Sequence, residues 1–256
     1  MKNREDFKEY IEAFLKQNSY LNLISKNDEK FLWEKHIFDS LAIERFFEKY
    51  NIMTMNSGKL KVENGKLKDF PLSTFHFQLL DIGTGGGFPA VPIAIMYPEI
   101  EVFALDSIRK KINAIENIKA ELGLKNLHTI CDRAENIIKV AKLDNRETLK
   151  EQQTDKNHST FQPFNLSTYN NLSTFNFQFD IITSRAVAPI KVIVKYAMPL
   201  LKDDGYFIAY KSIKAQEEID DAQKVLKKHK AKVVDIIRYD LPLDENFTRN
   251  LVVISK

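Results

Sequence analysis

Hydrophobic residues near the amino terminus recur at helical spacing on two successive segments. The first segment carries Phe7, Tyr10, Ile11, Phe14 and Leu15 on one face, and the second carries Trp33, Ile37, Phe38 and Leu41. A polar break at residues 26–28 separates the two segments. Apolar residues three and four apart lie on one side of a helix, so the pattern predicts two amphipathic helices that form an N-terminal helical cap over residues 1–56.

From residue 79 onward, short apolar runs alternate with amphipathic stretches. The runs predicted as strands are Leu79–Ile82, Glu101–Leu105, Leu127–Ile130, Phe179–Thr183, Gly205–Tyr210 and the final stretches 232–239 and 249–255. The stretches predicted as helices are one beginning at Phe88, Ile108–Leu122 with Gly123 as its stop, a short helix from Ala134, Val192–Leu200 and Ala215–Lys228. Helices between successive strands are typical of a parallel sheet, whereas no helix separates the last two strands. The pattern predicts an α/β fold with a seven-stranded, mostly parallel sheet and an antiparallel last strand.

Two segments, residues 57–70 and 141–178, interrupt this alternation. The first contains the internal repeat GKLKVENGKLK, and the second is rich in Asn, Gln, Ser and Thr. Polar, repetitive sequence buries little apolar surface, so both are interpreted as insertions that form exposed loops within a sheet domain over residues 71–256. Alternatively, the alternating residues Phe175, Phe177 and Phe179 extend the fourth strand as an edge ribbon.

The segment LLDIGTGGGFPAVPIAI, from Leu79 to Ile95, is the most informative stretch of the chain. An apolar strand ends in Asp81, and a glycine-rich turn with Gly83, Gly85, Gly86 and Gly87 leads into a helical pattern. Glycine allows positive φ and lets the backbone approach a ligand closely, so this strand, turn and helix predict a nucleotide-type cofactor site.

Asp106 ends the next strand about 20 residues after the glycines, where such folds place an acid that binds both ribose hydroxyls. The alternative is an N-cap of the following helix, which Ser107 would supply equally well. NAD and S-adenosylmethionine both contain an adenosine ribose. These two motifs alone therefore leave a dehydrogenase and a methyltransferase equally open.

Composition limits the remaining classes. The chain has 256 residues, 44% of them hydrophobic, and a single cysteine, Cys131, which excludes a disulfide framework and a cysteine-only metal cluster. The first residues are charged, and no apolar run approaches the roughly 18 residues of a membrane span, so we expect a cytoplasmic protein without membrane association. A formal net charge of +3 is compatible with a polyanionic partner but does not require one.

Seven motifs together resemble the bacterial small-subunit ribosomal RNA methyltransferase G family, once called glucose-inhibited division protein B. They are LNLIS, EKHIFDSLA, DIGTGGGFPAVPIAI, the acid of ALDS, the triplet Arg133-Ala134-Glu135, SRAVAP and TRNLVVISK. The resemblance covers nearly the whole chain except the two insertions. It implies a Rossmann-like methyltransferase fold in which S-adenosyl-L-methionine is the methyl donor and N7 of a guanine in 16S ribosomal RNA is the acceptor.

The resemblance also implies site residues. Cofactor contacts would come from Gly83, Phe88, Ala134, Glu135 and Arg185, and Asp106 would hold the ribose. Lys35 and His36 lie in the motif where the family often has Arg before the histidine; Lys35 keeps the charge but loses the bidentate fork of arginine. For Glu135 the alternative is a favourable place in the first turn of a helix, and for Arg185 it is a surface ion pair.

Lys35, His36, Arg109, Lys211 and Arg249 are the predicted RNA-binding residues. Lys211 and Arg249 fall at strand ends that face a substrate, and Arg109 opens a basic run beside the cofactor strand, which alternatively is a solvated helix face. His36 and Asp39 lie one helical turn apart and are compatible with mutual stabilisation as well as with RNA contact. The expected partner is small-subunit rRNA or the 30S particle, with the protein acting as a monomer.

The expected chemistry needs neither a metal nor a catalytic acid or base. Guanine N7 carries a lone pair and no proton, so its attack on a methyl group requires orientation only. The segment TSRAVAP lacks the Pro-Pro-aromatic signature of amino-group methylation, and Cys131 is interpreted as a small buried residue rather than a nucleophile. The alternatives are a Rossmann NAD-binding oxidoreductase and a non-catalytic rRNA-binding assembly factor.

Overall fold

The computed structural model describes residues 3–52, 60–61, 67–68, 77–147, 177–243 and 247–256. Its strands are β1 (Leu60–Lys61), β2 (Leu67–Lys68), β3 (Phe77–Ile82), β4 (Ile100–Asp106), β5 (Leu127–Cys131), β6 (Phe179–Arg185), β7 (Leu201–Ser212), β8 (Lys232–Leu241) and β9 (Phe247–Ser255). Seven of them, β3 to β9, form one sheet in the order β5-β4-β3-β6-β7-β9-β8. The pairs from β5 to β7 are parallel, and β9 runs antiparallel to both of its neighbours. The predicted sheet with an antiparallel last strand is confirmed.

Helices cover both faces of this sheet. They are α1 (Lys8–Leu21), α2 (Lys26–Glu29), α3 (Asp39–Leu41), α4 (Ile43–Lys49), α5 (Ala90–Met96), α6 (Arg109–Leu122), α7 (Ala134–Glu147), α8 (Ile190–Ala197) and α9 (Ala215–Lys228), with a π-helix at Leu32–Phe38 and 3₁₀ turns at Arg4–Phe7 and Met198–Leu200. None of the helices described is both long enough and apolar enough to cross a membrane.

The protein has two apolar cores, one on each face of the sheet, because successive side chains of a strand point to opposite faces. Leu79 packs with the amino-terminal helices, α5 and α6, whereas its neighbour Leu80 packs with α7, α8 and α9 on the opposite face. Side chains alternate between the faces of a strand, so a run of apolar residues is buried on both sides. The result is a three-layer α/β/α arrangement in which the N-terminal cap belongs to one of the two outer layers.

The amino-terminal region differs from its prediction in detail. The polar break at residues 26–28 lies within the short helix α2, because the Ser25 hydroxyl accepts a hydrogen bond from the Asp28 backbone and caps that turn. Helix α1 ends at Leu21, followed by Asn22 in the left-handed conformation. The second predicted helix begins as a π-helix, a form that is frequent at functional sites.

The two predicted insertions are described only in part. Within residues 57–70, Leu60 pairs with Lys68 and Lys61 with Leu67, so the two copies of the repeat form a two-stranded ladder separate from the main sheet. Helix α7 is longer than predicted and extends from Ala134 to Glu147, into the segment predicted as a loop, because the buried face of this helix continues through Ala141. Strand β6 begins at Phe179; Phe175 and most of residues 141–178 lie outside the described residues.

Candidate active site

The carboxyl ends of strands β3 to β6 meet at one edge of the sheet and enclose a cleft of about 440 Å³. Its lining includes Gly83 after β3, Asp106 at the end of β4, Ala134 and Glu135 after β5, and Val187 after β6. The crevice outside the carboxyl ends of parallel strands is the usual ligand site of such sheets, and the volume falls within the range of small-molecule pockets. Four of the six predicted cofactor residues therefore lie together.

The turn after β3 requires glycine at Gly83 for two reasons. Its φ of +74° lies in the left-handed region, and a Cβ there would lie 2.5 Å from Val187 Cγ2. The backbone amide groups of Gly83 and Thr84 both donate to the carbonyl oxygen of Leu105, at 2.8 and 2.9 Å. The glycine turn is thus held against β4 on one side and covered by the loop after β6 on the other.

Asp106 connects the glycine turn to the loop that precedes α6. Its Oδ2 accepts a hydrogen bond from the Gly85 backbone at 2.9 Å, and its Oδ1 accepts one from the Ile108 backbone at 2.9 Å. Helix α6 begins at Arg109 with no side-chain cap, so the alternative role of Asp106 or Ser107 as N-cap is wrong. An ionised carboxylate accepts about four hydrogen bonds, so Asp106 retains acceptor capacity beside these two, and Lys111 Nζ lies 3.9 Å from its Oδ2.

Asp81 stabilises the start of the glycine turn from within the protein. It is fully buried, and its carboxylate accepts hydrogen bonds from the Thr183 hydroxyl at 3.0 Å and from the Ala90 backbone at 3.3 Å. Burial raises the pKa of Asp81 to about 6, against the opposite effect of the hydrogen bonds that it accepts and of the nearby Arg185. Asp81 therefore connects β3 to β6 through Thr183 and to α5 through Ala90.

The opposite wall of the cleft comes from the start of α7 and from α8. Asp132 accepts hydrogen bonds from the Arg133 backbone at 2.6 Å and from Asn136 Nδ2 at 2.7 Å, which fixes the entry into α7. A hydrogen bond with Glu135 raises the pKa of the Tyr196 hydroxyl across the cleft. Glu135 also stands in the first turn of α7, where the helix dipole favours an acid, so its structural and ligand-binding interpretations are compatible.

Phe88 and Arg185, the other two predicted cofactor residues, lie beside the cleft in a buried aromatic cluster. The Phe88 ring centroid is 5.0 Å from those of Phe14 and His36 and 6.2 Å from that of Tyr10. The Arg185 guanidinium carbon lies 5.2 Å from the centroid of the Phe88 ring. This arrangement combines ring packing with a cation–π contact and connects the glycine turn to the N-terminal helices.

Arg185 takes part in a buried ionic network centred on Asp39. Arg185 Nη1 and Arg249 Nη2 lie 3.0 and 3.3 Å from Asp39 Oδ2, and the Tyr239 hydroxyl donates to Asp39 Oδ1 at 2.6 Å. Asp39 is only 1% exposed. The surface ion pair considered for Arg185 is therefore wrong, because its carboxylate partner is buried between two guanidinium groups.

His36 and Asp39 stabilise the same cation rather than each other. Arg185 Nη2 lies 3.0 Å from His36 Nδ1, and Arg185 Nη1 also donates to the Lys35 carbonyl oxygen at 3.0 Å. Burial and the charge of Arg185 lower the pKa of His36 to about 4. A neutral imidazole with an acceptor nitrogen toward the guanidinium fits this geometry.

The lowered pKa of His36 predicts a pH-dependent loss of stability. Well above pH 6.5 the histidine is neutral in both states, and as the pH falls through 6.5 toward 4 mainly the unfolded chain takes up the proton. The free energy of unfolding of the wild type should fall, relative to that of His36→Asn, by about 2 kcal/mol between pH 7 and pH 5. Urea denaturation of both proteins at several pH values measures this difference.

Asp81→Asn provides a comparison of opposite sign. The folded protein binds the Asp81 proton below pH 6, whereas the unfolded chain does so only near pH 3.8. The wild type should therefore gain stability relative to Asp81→Asn as the pH falls through 6. A difference between the wild type and His36→Asn that stays constant from pH 7 to pH 5 would contradict the assignment.

The predicted RNA-binding residues lie in different environments. Lys35 forms an ion pair with Asp28, with Nζ and Oδ1 3.0 Å apart, and remains about one-third exposed, whereas Arg109 is exposed on α6. Lys211 is buried, and Arg249 is mostly buried and bound to Asp39. His36 belongs to the same buried network as Arg249. Lys35 and Arg109 are thus the two of the five whose cationic groups face solvent to a substantial extent.

Sequence reasoning missed the central member of this network. Asp39 appeared only as a helical neighbour of His36, and Tyr239 only as part of an apolar strand. The available signal for Asp39 is an acid within the apolar helical segment that contains Ile37, Phe38 and Leu41. Its arginine partners are 146 and 210 residues away, so sequence spacing could not identify them.

Comparisons with known proteins show which proteins the chain is similar to. The model of the rRNA small subunit methyltransferase G family matches residues 3–59, 66–151 and 169–247. Proteins named Ribosomal RNA small subunit methyltransferase G are similar at 29% identity in Thermoanaerobacter sp. (strain X514) and at 30% identity in Lachnoclostridium phytofermentans. Each alignment covers 98% of this chain and 81% of the relative. An O-methyltransferase from Bacillus cereus in complex with SAH shares the fold, with a TM-score of 0.51 at 11% identity over 100% of this chain and 93% of that one.

Proposed function

Since the chain belongs to the rRNA small subunit methyltransferase G family, we propose that it methylates N7 of a guanine in 16S ribosomal RNA. The protein is an S-adenosylmethionine-dependent methyltransferase with ribosomal RNA as its substrate. Methyl transfer to ribosomal RNA follows from the family, whereas N7 of guanine as the acceptor atom is proposed. Naked 16S rRNA or the 30S particle is proposed as the form of the substrate, and a monomer as the acting form.

The residues of the cleft fit the methyl donor. Bound S-adenosylmethionine supplies a methyl group on a positively charged sulfur. The Asp106 carboxylate would accept hydrogen bonds from the ribose hydroxyls, and Ala134 and Glu135 would contact the adenine at the start of α7. Gly83 lines the cleft beside Val187, which occupies the position of a Cβ on Gly83, and the backbone of the glycine turn is proposed to lie against the methionine end of the donor. This group of residues from three successive strand ends is the observation that carries the proposal.

Phe88 and Arg185 are proposed to act from the edge of the cleft. Arg185 is the last residue of β6, next to Ala186 in the cleft wall, and it shares the single negative charge of Asp39 with Arg249. We propose that its guanidinium orients the donor carboxylate or an RNA phosphate, because both anions match its planar array of donors. Phe88 would support this position through the cation–π contact.

Methylation at N7 agrees with the chemistry available in the described residues. The N7 lone pair needs no base to remove a proton, so the protein contributes mainly by holding the two reactants in line, about 3 Å apart. Burial raises the pKa of the Cys131 thiol, which disfavours the thiolate that cytosine C5 chemistry would require. The segment Ser184-Arg185-Ala186-Val187-Ala188-Pro189 at the cleft also lacks the Pro-Pro-aromatic motif of amino-group methylation.

The two alternative functions predict different binding. A dehydrogenase would be stabilised by NAD, and an assembly factor would bind rRNA with steep salt dependence but leave it unmodified. The family and the relatives named above support neither alternative. Thermal stabilisation by S-adenosylhomocysteine without any response to NAD is expected.

The decisive experiment maps N7-methylguanine in 16S rRNA from cells with and without this gene. One position should lose its methyl group in the deletion strain, and the purified protein should restore it in vitro on 16S rRNA or on 30S particles from that strain. Comparing the two substrates identifies the form that is recognised. An unchanged methylation map would contradict the proposed acceptor.

Asp106→Asn tests the ribose contact. The amide keeps one acceptor oxygen but loses the charge, and hydrogen bonds to a charged group are worth about 1.5–3 kcal/mol, so the Kd for S-adenosylhomocysteine should rise about 10- to 150-fold. Isothermal titration calorimetry measures the change. Asp132→Asn is the matched control, since Asp132 also lines the cleft but is assigned no contact with the ribose, and its Oδ1 fixes the entry into α7. An equal loss of affinity in both variants would contradict a specific role of Asp106 in binding the ribose.

A further inference from the structure

The loop after β6 forms the wall of the cleft that faces the glycine turn. Ala186 and Val187 line the cleft, and the Val187 side chain lies where a Cβ on Gly83 would be. Ala186 adopts φ +55°, a left-handed conformation that is costly for a residue with a Cβ. Strained backbone of this kind persists only where its surroundings hold it in place.

Charged groups that are buried or partly buried hold the loop near both ends. Arg185, directly before it, is bound to Asp39 and His36. After it, Lys211 Nζ donates to the Ala188 carbonyl oxygen at 2.7 Å and lies 2.7 Å from Glu218 Oε2.

Glu218 completes this second attachment. The same Oε2 accepts a hydrogen bond from the Ile190 backbone at 3.0 Å, at the start of α8. The Lys211 side chain is only 9% exposed, so its ammonium group depends on these partners. Lys211 and Glu218 thus connect β7 and α9 to both sides of Pro189, and they fix the loop from within the protein.

We infer that Lys211 and Glu218 are positioning residues for methyl transfer, acting through the loop 186–189. This inference rests on the proposed function. The sequence predicted Lys211 to be an RNA ligand. On this inference it is not one, because its ammonium group is turned inward to Ala188 and Glu218. The contacts proposed for the adenosine lie on Asp106, Ala134 and Glu135, at other strand ends. Loosening the loop should therefore impair the alignment of the reactants much more than the affinity for the donor, since a displacement of about 1 Å costs about 100-fold in rate.

Glu218→Ala and Asp221→Ala form the test pair. Asp221 also joins α9 to α8, through Lys191 with Nζ and Oδ2 3.0 Å apart, but this pair is exposed and does not touch the loop. We expect Glu218→Ala to lower the single-turnover rate of methyl transfer about 10- to 100-fold. The substrate is the 30S particle from the deletion strain, and the rate is normalised to the number of sites that bind S-adenosylhomocysteine. The Kd for S-adenosylhomocysteine should change less than about threefold, and Glu218→Gln, which keeps an acceptor oxygen, should recover most of the rate.

Ala186→Gly separates positioning from general stability. Glycine removes the steric cost of the left-handed conformation and lets the loop leave it, so the melting temperature should stay constant or rise while the transfer rate falls about tenfold. A purely structural role of the loop would leave the rate unchanged in a variant that is equally stable.

The outcomes are distinct. If the wild type and Asp221→Ala transfer methyl groups and both Glu218→Ala and Ala186→Gly match their rates, the positioning role is wrong. Loss of rate and of donor affinity in equal proportion would also overturn it. If neither the wild type nor Asp221→Ala transfers a methyl group to the rRNA, the proposed function is wrong and the positioning role falls with it.

Discussion

Asp39→Ala is expected to lower the free energy of unfolding by about 3–5 kcal/mol, the largest effect of any single substitution considered for this protein. The substitution leaves Arg185 and Arg249 mostly buried without their common carboxylate, and it removes the acceptor of the Tyr239 hydroxyl. Leaving charged groups unpaired in the interior costs far more free energy than the intact network contributes to stability. Chemical denaturation at pH 7.5 measures the change.

Asp203→Ala is the control for this loss. Asp203 also pairs with a cation, Lys256, with Oδ1 and Nζ 3.1 Å apart, but its side chain is almost fully exposed. Solvent screens such a pair, so its removal should change the stability little. Similar losses of stability in the two variants would mean that burial does not determine how much the Asp39 network contributes to the free energy of unfolding. Asp39→Asn, which keeps the hydrogen bond with Tyr239, should lie between the two.

Gly83→Ala is expected to weaken the binding of S-adenosylhomocysteine about 10- to 100-fold, in addition to destabilising the protein. The new Cβ would lie 2.5 Å from Val187 Cγ2, so either the glycine turn or the cleft wall must move. Overpacking of this kind costs about 1–3 kcal/mol, and the left-handed conformation adds about 1–2 kcal/mol. Calorimetric titration and chemical denaturation measure the two effects separately.

Gly123→Ala isolates the contribution of backbone strain. Gly123 ends α6 with φ +65°, close to the value at Gly83, but nothing lies within 4 Å of the position of its Cβ. This variant should lose about 1–2 kcal/mol of stability and keep its affinity for S-adenosylhomocysteine. If Gly83→Ala binds as tightly as Gly123→Ala, the glycine turn is not part of the donor site.

A double variant identifies the steric partner. Val187→Ala removes the two methyl groups nearest to the new Cβ, so Gly83→Ala combined with Val187→Ala should bind S-adenosylhomocysteine more tightly than Gly83→Ala alone. Such non-additivity is expected for side chains in contact, whereas the effects of distant and independent sites add. Strictly additive effects would show that the loss has a different origin.

Much of the fold could be predicted because its signals are local. Helix α9 begins and ends at the predicted residues, Ala215 and Lys228, because its amphipathic period is uninterrupted. All seven strands of the main sheet extend one to four residues beyond a predicted boundary, and the largest difference is at β7, which begins four residues before its predicted start. The sequence also placed Gly83, Asp106, Ala134 and Glu135 after successive parallel strands, which meet at one edge.

The pattern of apolar and polar residues, with the spacing of the glycines and Asp106, was sufficient to determine the type of sheet and the edge that carries the cleft. Those features depend on contacts between residues near in sequence and on the common direction of parallel strands. The tertiary structure alone decided that Arg185, Arg249 and Tyr239 converge on Asp39, and that Lys211 turns inward to Ala188 and Glu218. The physical reason is that a buried charge takes its partner from whatever part of the chain packs against it, and sequence spacing carries no information about partners 146 or 210 residues away.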